Sequence, residues 1–309
     1  MRLIALAMVF VSGCMPQPRS VRSDSSALEP IERLGRWDGD SFVAVAPSTV
    51  PPSHAHVLVH GWAPGWSRAA RATPDLRAWE AVDARGRPFE PWMARMARAI
   101  VEADPHAVVL VYSWLDHSAT SRSPLAQRNA LARAEIHGDG LAAALEEAVD
   151  PSFFERQGRI HLIGHSYGAL VATLAAVRMP KAPRQLTLFD VPDAPMTRIT
   201  GGHASLALLL SRLPIGGETG QTFVDNYFSM IGERYGDTVP GVVDVALTPP
   251  YNLFDYRRRH LYGPWFYTQS AHHEFGMGWS PLIGRPPAPG CYEQPWGEID
   301  LARGCDDMR

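Results

Sequence analysis

Arg159-Ile160-His161-Leu162-Ile163-Gly164-His165-Ser166-Tyr167-Gly168-Ala169-Leu170-Val171-Ala172 decides how the rest of the chain reads. An apolar run leads into G-x-S-x-G, and a stretch of small and apolar residues comes after it. That order predicts a strand, a sharp turn carrying Ser166, and a helix. A serine that attacks a carbonyl carbon must stand above its neighbours, and a strained turn lifts it. Glycines two before and two after the serine let strand and helix pass closely. The helix begins at the serine, so its positive end and its first N–H groups face the place where an oxyanion would develop.

Working outward, the chain alternates apolar strands with helical segments. His54 to Trp62 predicts a strand ending in a turn, and Ala107 to Trp114 a strand buried on both faces. Pro88 to Ala103 has apolar residues at helical spacing. Leu125 to Val149 is Ala-rich and helical, with an interruption expected near Gly138–Gly140, and Asp150-Pro151 ends it. Gln185 to Asp190, Gln221 to Tyr227 and Val242 to Leu247 predict further strands. Ser41 to Ala46 predicts an edge strand. Ser205 to Leu213 is a short apolar helix, covering the sheet rather than forming a lid. The pattern gives an α/β fold with a mostly parallel central sheet and helices on both faces.

The chain has 309 residues, 46% hydrophobic, with a formal net charge of −3. That is enough apolar material for one large domain, and the charge balance gives no reason to expect nucleic acid as a partner. Basic charge is almost all arginine, Lys181 being the one lysine. Met1-Arg2 followed by the apolar Leu3 to Val11 fits a secretory signal peptide. Val11-Ser12-Gly13-Cys14 resembles the lipobox of bacterial lipoproteins, a resemblance that implies lipidation of Cys14 and an extracytoplasmic, membrane-anchored location, in the periplasm or at the cell surface. The expected organisation is a signal peptide over 1–13, a disordered tether over 14–38, a catalytic domain over 39–285 and a C-terminal tail over 286–309. In an oxidising compartment Cys291 and Cys305 are a candidate disulfide stapling that tail. No C-x-x-C or H-x-x-x-H spacing lies near them, which argues against metal there.

With His60-Gly61-Trp62 after an early strand, the serine turn at 164–168, and acidic and histidine candidates downstream, the chain resembles the α/β-hydrolases, lipases and esterases in particular. The resemblance spans roughly residues 41 to 280. It implies a serine hydrolase cleaving small-molecule or lipid esters through a Ser-His-Asp triad, needing neither metal nor organic cofactor. It also implies oxyanion donors at the backbone N–H groups of Trp62 and Tyr167. His-Gly-Trp departs from the HGGG form of some esterases and is closer to the lipase type.

A serine hydroxyl is a poor nucleophile until a base takes its proton. The family places that base after the last strand. His260 fits best, with His272 and His273 as alternatives. The acid that orients the imidazole is expected at Asp225, at the end of the strand two after the serine strand. Asp190, one strand earlier as in pancreatic-type lipases, is the alternative, and Asp193 is weaker. Trp62 and Trp66 are expected to flank the pocket, while Trp114 and Trp265 read as packing. Arg257-Arg258-Arg259 reads as a solvated face. His137 and His203 have no partner nameable from the sequence. The same triad would serve an acyltransferase or peptidase, and a non-catalytic hydrolase-like surface lipoprotein is the further alternative.

Overall fold

A computed structural model describes residues 28–49, 54–63, 92–118, 124–149, 159–192, 206–229, 232–235, 239–252, 255–273, 275–279, 286–294 and 301–303. Its strands are β1 (Leu34–Trp37), β2 (Phe42–Ala44), β3 (Ala55–Val59), β4 (Val108–Tyr112), β5 (Ile160–His165), β6 (Gln185–Phe189), β7 (Phe223–Phe228), β8 (Val243–Ala246), β9 (Gly290–Glu293) and β10 (Ala302–Arg303). They form one sheet in the order β10-β9-β8-β7-β6-β5-β3-β4-β1-β2. The six pairings from β4 through β3 to β9 are parallel. Only β1 and β2 at one edge and β10 at the other run antiparallel to their neighbours. This is the α/β-hydrolase arrangement, with the serine turn after the central strand β5.

Parallel strands need helical crossovers, so both sheet faces are covered, and alternate side chains feed two cores. Ala55, Val57 and Val59 of β3, with Val108, Leu110 and Tyr112 of β4, point to one side. There they meet α3 (Pro124–Ala148), α4 (Tyr167–Arg178) and α5 (Leu206–Leu210). Leu58, Val109, Val111 and Ile163 point to the other, against α1 (Trp92–Ala103) and α7 (Tyr262–Gln269). The two short helices α2 (Leu115–Ser118) and α6 (Tyr256–His260) sit at the carboxyl ends of strands, beside the elements that carry the site. Leu206, Leu209 and Leu210 of α5 are buried in the first core, as expected of a covering helix. Among the described residues no helix is long and apolar enough to cross a membrane.

Four expectations change. Residues 30–37 do not belong to a tether: a 3-10 turn (Pro30–Arg33) leads into β1, whose Leu34 is fully buried and pairs with β4. The segment beyond 286 is not an appendage either, because β9 pairs in parallel with β8 and extends the sheet. Helix α3 runs unbroken through Gly138 and Gly140, because the glycines serve packing. A Cβ at Gly140 would sit 2.8 Å from the Tyr112 hydroxyl, and one at Gly138 would strike the Leu174 side chain of α4. Finally, the chain between β8 and β9 forms α6 and α7, where the sequence reading placed no helix. Cys291 is disulfide-bonded. Cys14, Cys305, Trp66, Asp193 and His203 lie outside the described residues.

Candidate active site

Strand β5 ends at His165 and α4 begins at Tyr167, leaving Ser166 alone in the turn at φ 55, ψ −127. A non-glycine residue there is strained by ~1–3 kcal/mol, so the surroundings must over-determine it. They do. The Ser166 amide donates to Phe189 O of β6 at 2.9 Å, and Ser166 O accepts from Ala169 N at 2.9 Å. Gly168 has no room for a side chain, since a Cβ would collide with the carbonyl oxygens of Val59 and His60. The turn is thereby pressed against the end of β3.

The loop after β3 lies on the serine itself. A Cβ at Gly61 would approach Ser166 Cβ to 2.7 Å and His165 O to 2.8 Å. His60 braces this loop. Its Nδ1–H donates to Gly61 O at 2.8 Å, and its Nε2 accepts from Trp114 N at 3.0 Å. The Trp114 indole N–H returns to His60 O at 2.7 Å. That pattern demands a neutral imidazole, and burial pushes His60 down to about 3, in agreement. Trp62 and Tyr167, whose amides follow Gly61 and Ser166, stack their rings at 6.2 Å. Trp114, fully buried, is a strut behind the loop rather than a pocket wall. Trp265 is partly exposed and stacks on Tyr262.

His260 ends α6 and stands beside the serine turn. The His165 ring lies 4.5 Å from the His260 ring, and His165 Nε2–H donates to His260 O at 2.7 Å. The residue between glycine and serine therefore holds the backbone of the candidate base, a role the sequence did not suggest. Burial keeps His165 neutral by pushing its pKa well below the usual value, with the His260 charge acting in the same sense. Tyr256, 59% exposed, stacks over His260 at 5.4 Å and forms an outer wall. His272 and His273 are both exposed, and the His273 ring stacks on Phe275.

The carboxylate facing His260 is Asp190, not Asp225. His260 Nδ1 lies 3.3 Å from Asp190 Oδ2. The contact is poorly aligned for a hydrogen bond, leaving Nδ1 without an ideal partner. Catalytic contacts of this kind tighten when substrate is bound. Asp190 directly follows β6 and has φ 43. Its backbone amide donates to Tyr227 O at 2.9 Å. Its carboxylate accepts from Ser229 N and Ser229 Oγ, each at 2.7 Å. The Ser229 hydroxyl also lies 2.9 Å from Arg259 O, so its single proton is shared between the acid and the backbone leading into His260. His165 and Phe189 are register partners, which puts Ser166 and Asp190 side by side at neighbouring strand ends. Both have left-handed backbone, and strain of this sort clusters at functional sites.

Asp225 is correct in strand but wrong in depth. It sits in the middle of β7, opposite Thr187 and Val243, and is fully buried. Its Oδ1 accepts from Thr187 Oγ1 at 2.6 Å and Gln185 Nε2 at 3.2 Å. Because Thr187 gives its proton to Asp225, His161 Nε2–H must donate to Thr187, at 2.7 Å. His161 Nδ1 then accepts from His56 Nδ1, at 3.0 Å. A directed chain of buried groups crosses four strands well below the serine.

No protein-family model and no curated protein matches the chain. Among solved structures it is similar to the crystal structure of proline iminopeptidase from Mycobacterium smegmatis, at 13% identity and a TM-score of 0.34, over 77% of this chain and 97% of that one. So distant a likeness says nothing about activity, which must be read from the site's own geometry.

Burial raises the Asp225 carboxyl to about 7, against the opposing bonds from Thr187 and Gln185. A carboxyl raised above its unfolded value gives stability that is complete below pH ~4 and lost as pH climbs towards 7, by as much as ~4 kcal/mol. Buried His56, lowered to about 4, works the other way, losing stability as pH falls below 6.5. Asp225→Asn removes only the first contribution. Urea unfolding should show the variant gaining stability relative to wild type between pH 4 and 8. Parallel profiles for the two proteins would contradict this role for Asp225.

Proposed function

We propose that the protein is a serine hydrolase acting on carboxylic esters, with Ser166 as nucleophile, His260 as base and Asp190 in place of Asp225 as the orienting acid. The observation that carries this is the placement of two strained residues, Ser166 and Asp190, at the ends of adjacent strands, with His260 against Asp190 and its backbone tied to the serine turn. In the proposed reaction His260 Nε2 takes the Ser166 hydroxyl proton as Oγ adds to the ester carbonyl. The tetrahedral oxyanion is met by the amides of Trp62 and Tyr167, one on the loop pressed against Ser166 and one at the first turn of α4. His260 then protonates the departing alcohol, and water repeats the sequence on the acyl-enzyme. Asp190 holds Nδ1–H throughout and stabilises the imidazolium without taking its proton. Trp62, half-buried, and Tyr256, exposed, offer aromatic surface to an apolar acyl or alcohol group.

The N-terminal sequence supports a second proposal, that the domain works outside the cytoplasm, anchored to a bacterial membrane through lipidated Cys14. Metabolic labelling with a tagged fatty acid should mark the wild type and leave Cys14→Ser unmarked. Equal labelling of both would remove the anchor.

The activity is tested with a fluorophosphonate probe and a short-chain ester. Ser166→Ala should lose both labelling and turnover. His260→Ala should reduce kcat by about 10⁴ or more, and Asp190→Asn by roughly 10²–10⁴. Asp225→Asn should retain turnover within several-fold. Labelling retained in Ser166→Ala would sink the reaction, and a greater loss in Asp225→Asn than in Asp190→Asn, with both folded, would return the acid to Asp225. Cleavage of amides in preference to esters would change the substrate class while leaving the triad in place.

A further inference from the structure

Beyond the serine site, two half-buried polar groups and one buried one behind the His60 loop form a second cluster. Asp116 and His117 lie on α2, and His137 faces them from α3. We propose that Asp116, His117 and His137 bind a divalent transition-metal ion of the zinc type. One ligand atom from each lies within 4.8 Å of the others. His117 Nδ1 is 2.7 Å from His137 Nε2, and Asp116 Oδ2 is 3.8 Å from His117 Nε2. On the far side of its ring, His137 Nδ1 meets the Tyr112 hydroxyl at 3.0 Å. With the proton on Nδ1, that contact leaves the Nε2 lone pair aimed at His117. This is how ligating histidines are commonly oriented, by a partner on the nitrogen away from the metal.

The cluster needs only a small adjustment to accept an ion. Two imidazole nitrogens on a tetrahedral centre at about 2.0–2.1 Å stand roughly 3.3 Å apart, so the pair must open by about 0.6 Å. His137 is fixed, but the His117 side chain is 32% exposed and can turn. Its proton then resides on Nε2, and neither ring loses a proton overall. Asp116 is already engaged, because Arg33 holds Oδ1 at 2.8 Å and Oδ2 at 2.9 Å. A carboxylate oxygen has a second lone pair, so Oδ2 serves the ion while Arg33 remains its outer partner. The guanidinium charge opposes the ion and limits affinity. Two nitrogen donors and one oxygen favour zinc, cobalt or nickel over magnesium or calcium. A water would complete a four-coordinate site.

The location gives such an ion a consequence. Trp114, two residues before Asp116, clasps His60, and Ser118 O accepts from Ala63 N at 3.2 Å. Joining α2 to α3 would fasten both struts of the loop that presses on Ser166. The test uses the full chain, stripped with EDTA and titrated with Zn²⁺ or Co²⁺. One equivalent should bind saturably and raise Tm by several degrees. Co²⁺ should develop visible absorption of a low-coordinate nitrogen–oxygen site. His117→Ala and His117→Gln, whose Tm in EDTA should match wild type, should abolish all three effects, and His273→Ala should not. Absence of saturable binding, or binding unchanged in both His117 variants, would overturn the site.

Discussion

The strained serine turn exists only because three pieces of chain converge on it. Ser166 cannot relax from φ 55 while its amide is tied to Phe189 O and Gly168 is pressed against the carbonyls of β3. The parallel register of β3, β5 and β6 sets those distances, so the sheet itself holds the strain. What the fold gains is a serine lifted off the sheet, between the Gly61 loop and the His165–His260 contact. The cost, on the order of 1–3 kcal/mol for each such residue, is spread over two extensive cores.

Charge near the serine is managed by keeping histidines neutral. His60, His165, His137 and His161 are all driven down by burial, and each is a fixed hydrogen-bonding element, with tautomers set for His60 by the Trp114 amide and for His165 by the His260 carbonyl. His260 differs from these four because it faces a buried carboxylate and its own side chain is 18% exposed. That placement suits a group that must take a proton and return it. The distinction between twelve histidines is therefore one of environment, which a sequence does not display.

That contrast explains which features were legible in the sequence. The serine turn was, because its signal is local: an apolar run, two glycines and a small-residue helix lie within fourteen positions. Gly61 beside it was legible for the same reason. The acid was not. Asp190 and Asp225 both lie on strands after the turn, and the choice depends on where each strand ends relative to its neighbours. Phe189 pairs with Tyr227, so β6 reaches its end level with Ser166, whereas Asp225 is opposite Thr187, two steps lower. Register is a tertiary property. The outlying strands β1, β9 and β10 were missed because they are short, two to four residues each, and β9 and β10 bury too little to show an apolar pattern of their own. The Asp116–His117–His137 cluster joins residues twenty positions apart, on two helices, and had no motif to announce it.

The central claim is that His260 pairs with Asp190 and acts on Ser166. Proton NMR of the ligand-free protein at low pH tests it directly, through the far-downfield imidazole N–H signal of a histidine bonded to a carboxylate. One such signal is expected to disappear in His260→Ala and in Asp190→Asn and to persist in Asp225→Asn. A signal that survives Asp190→Asn and disappears in Asp225→Asn would contradict the pairing.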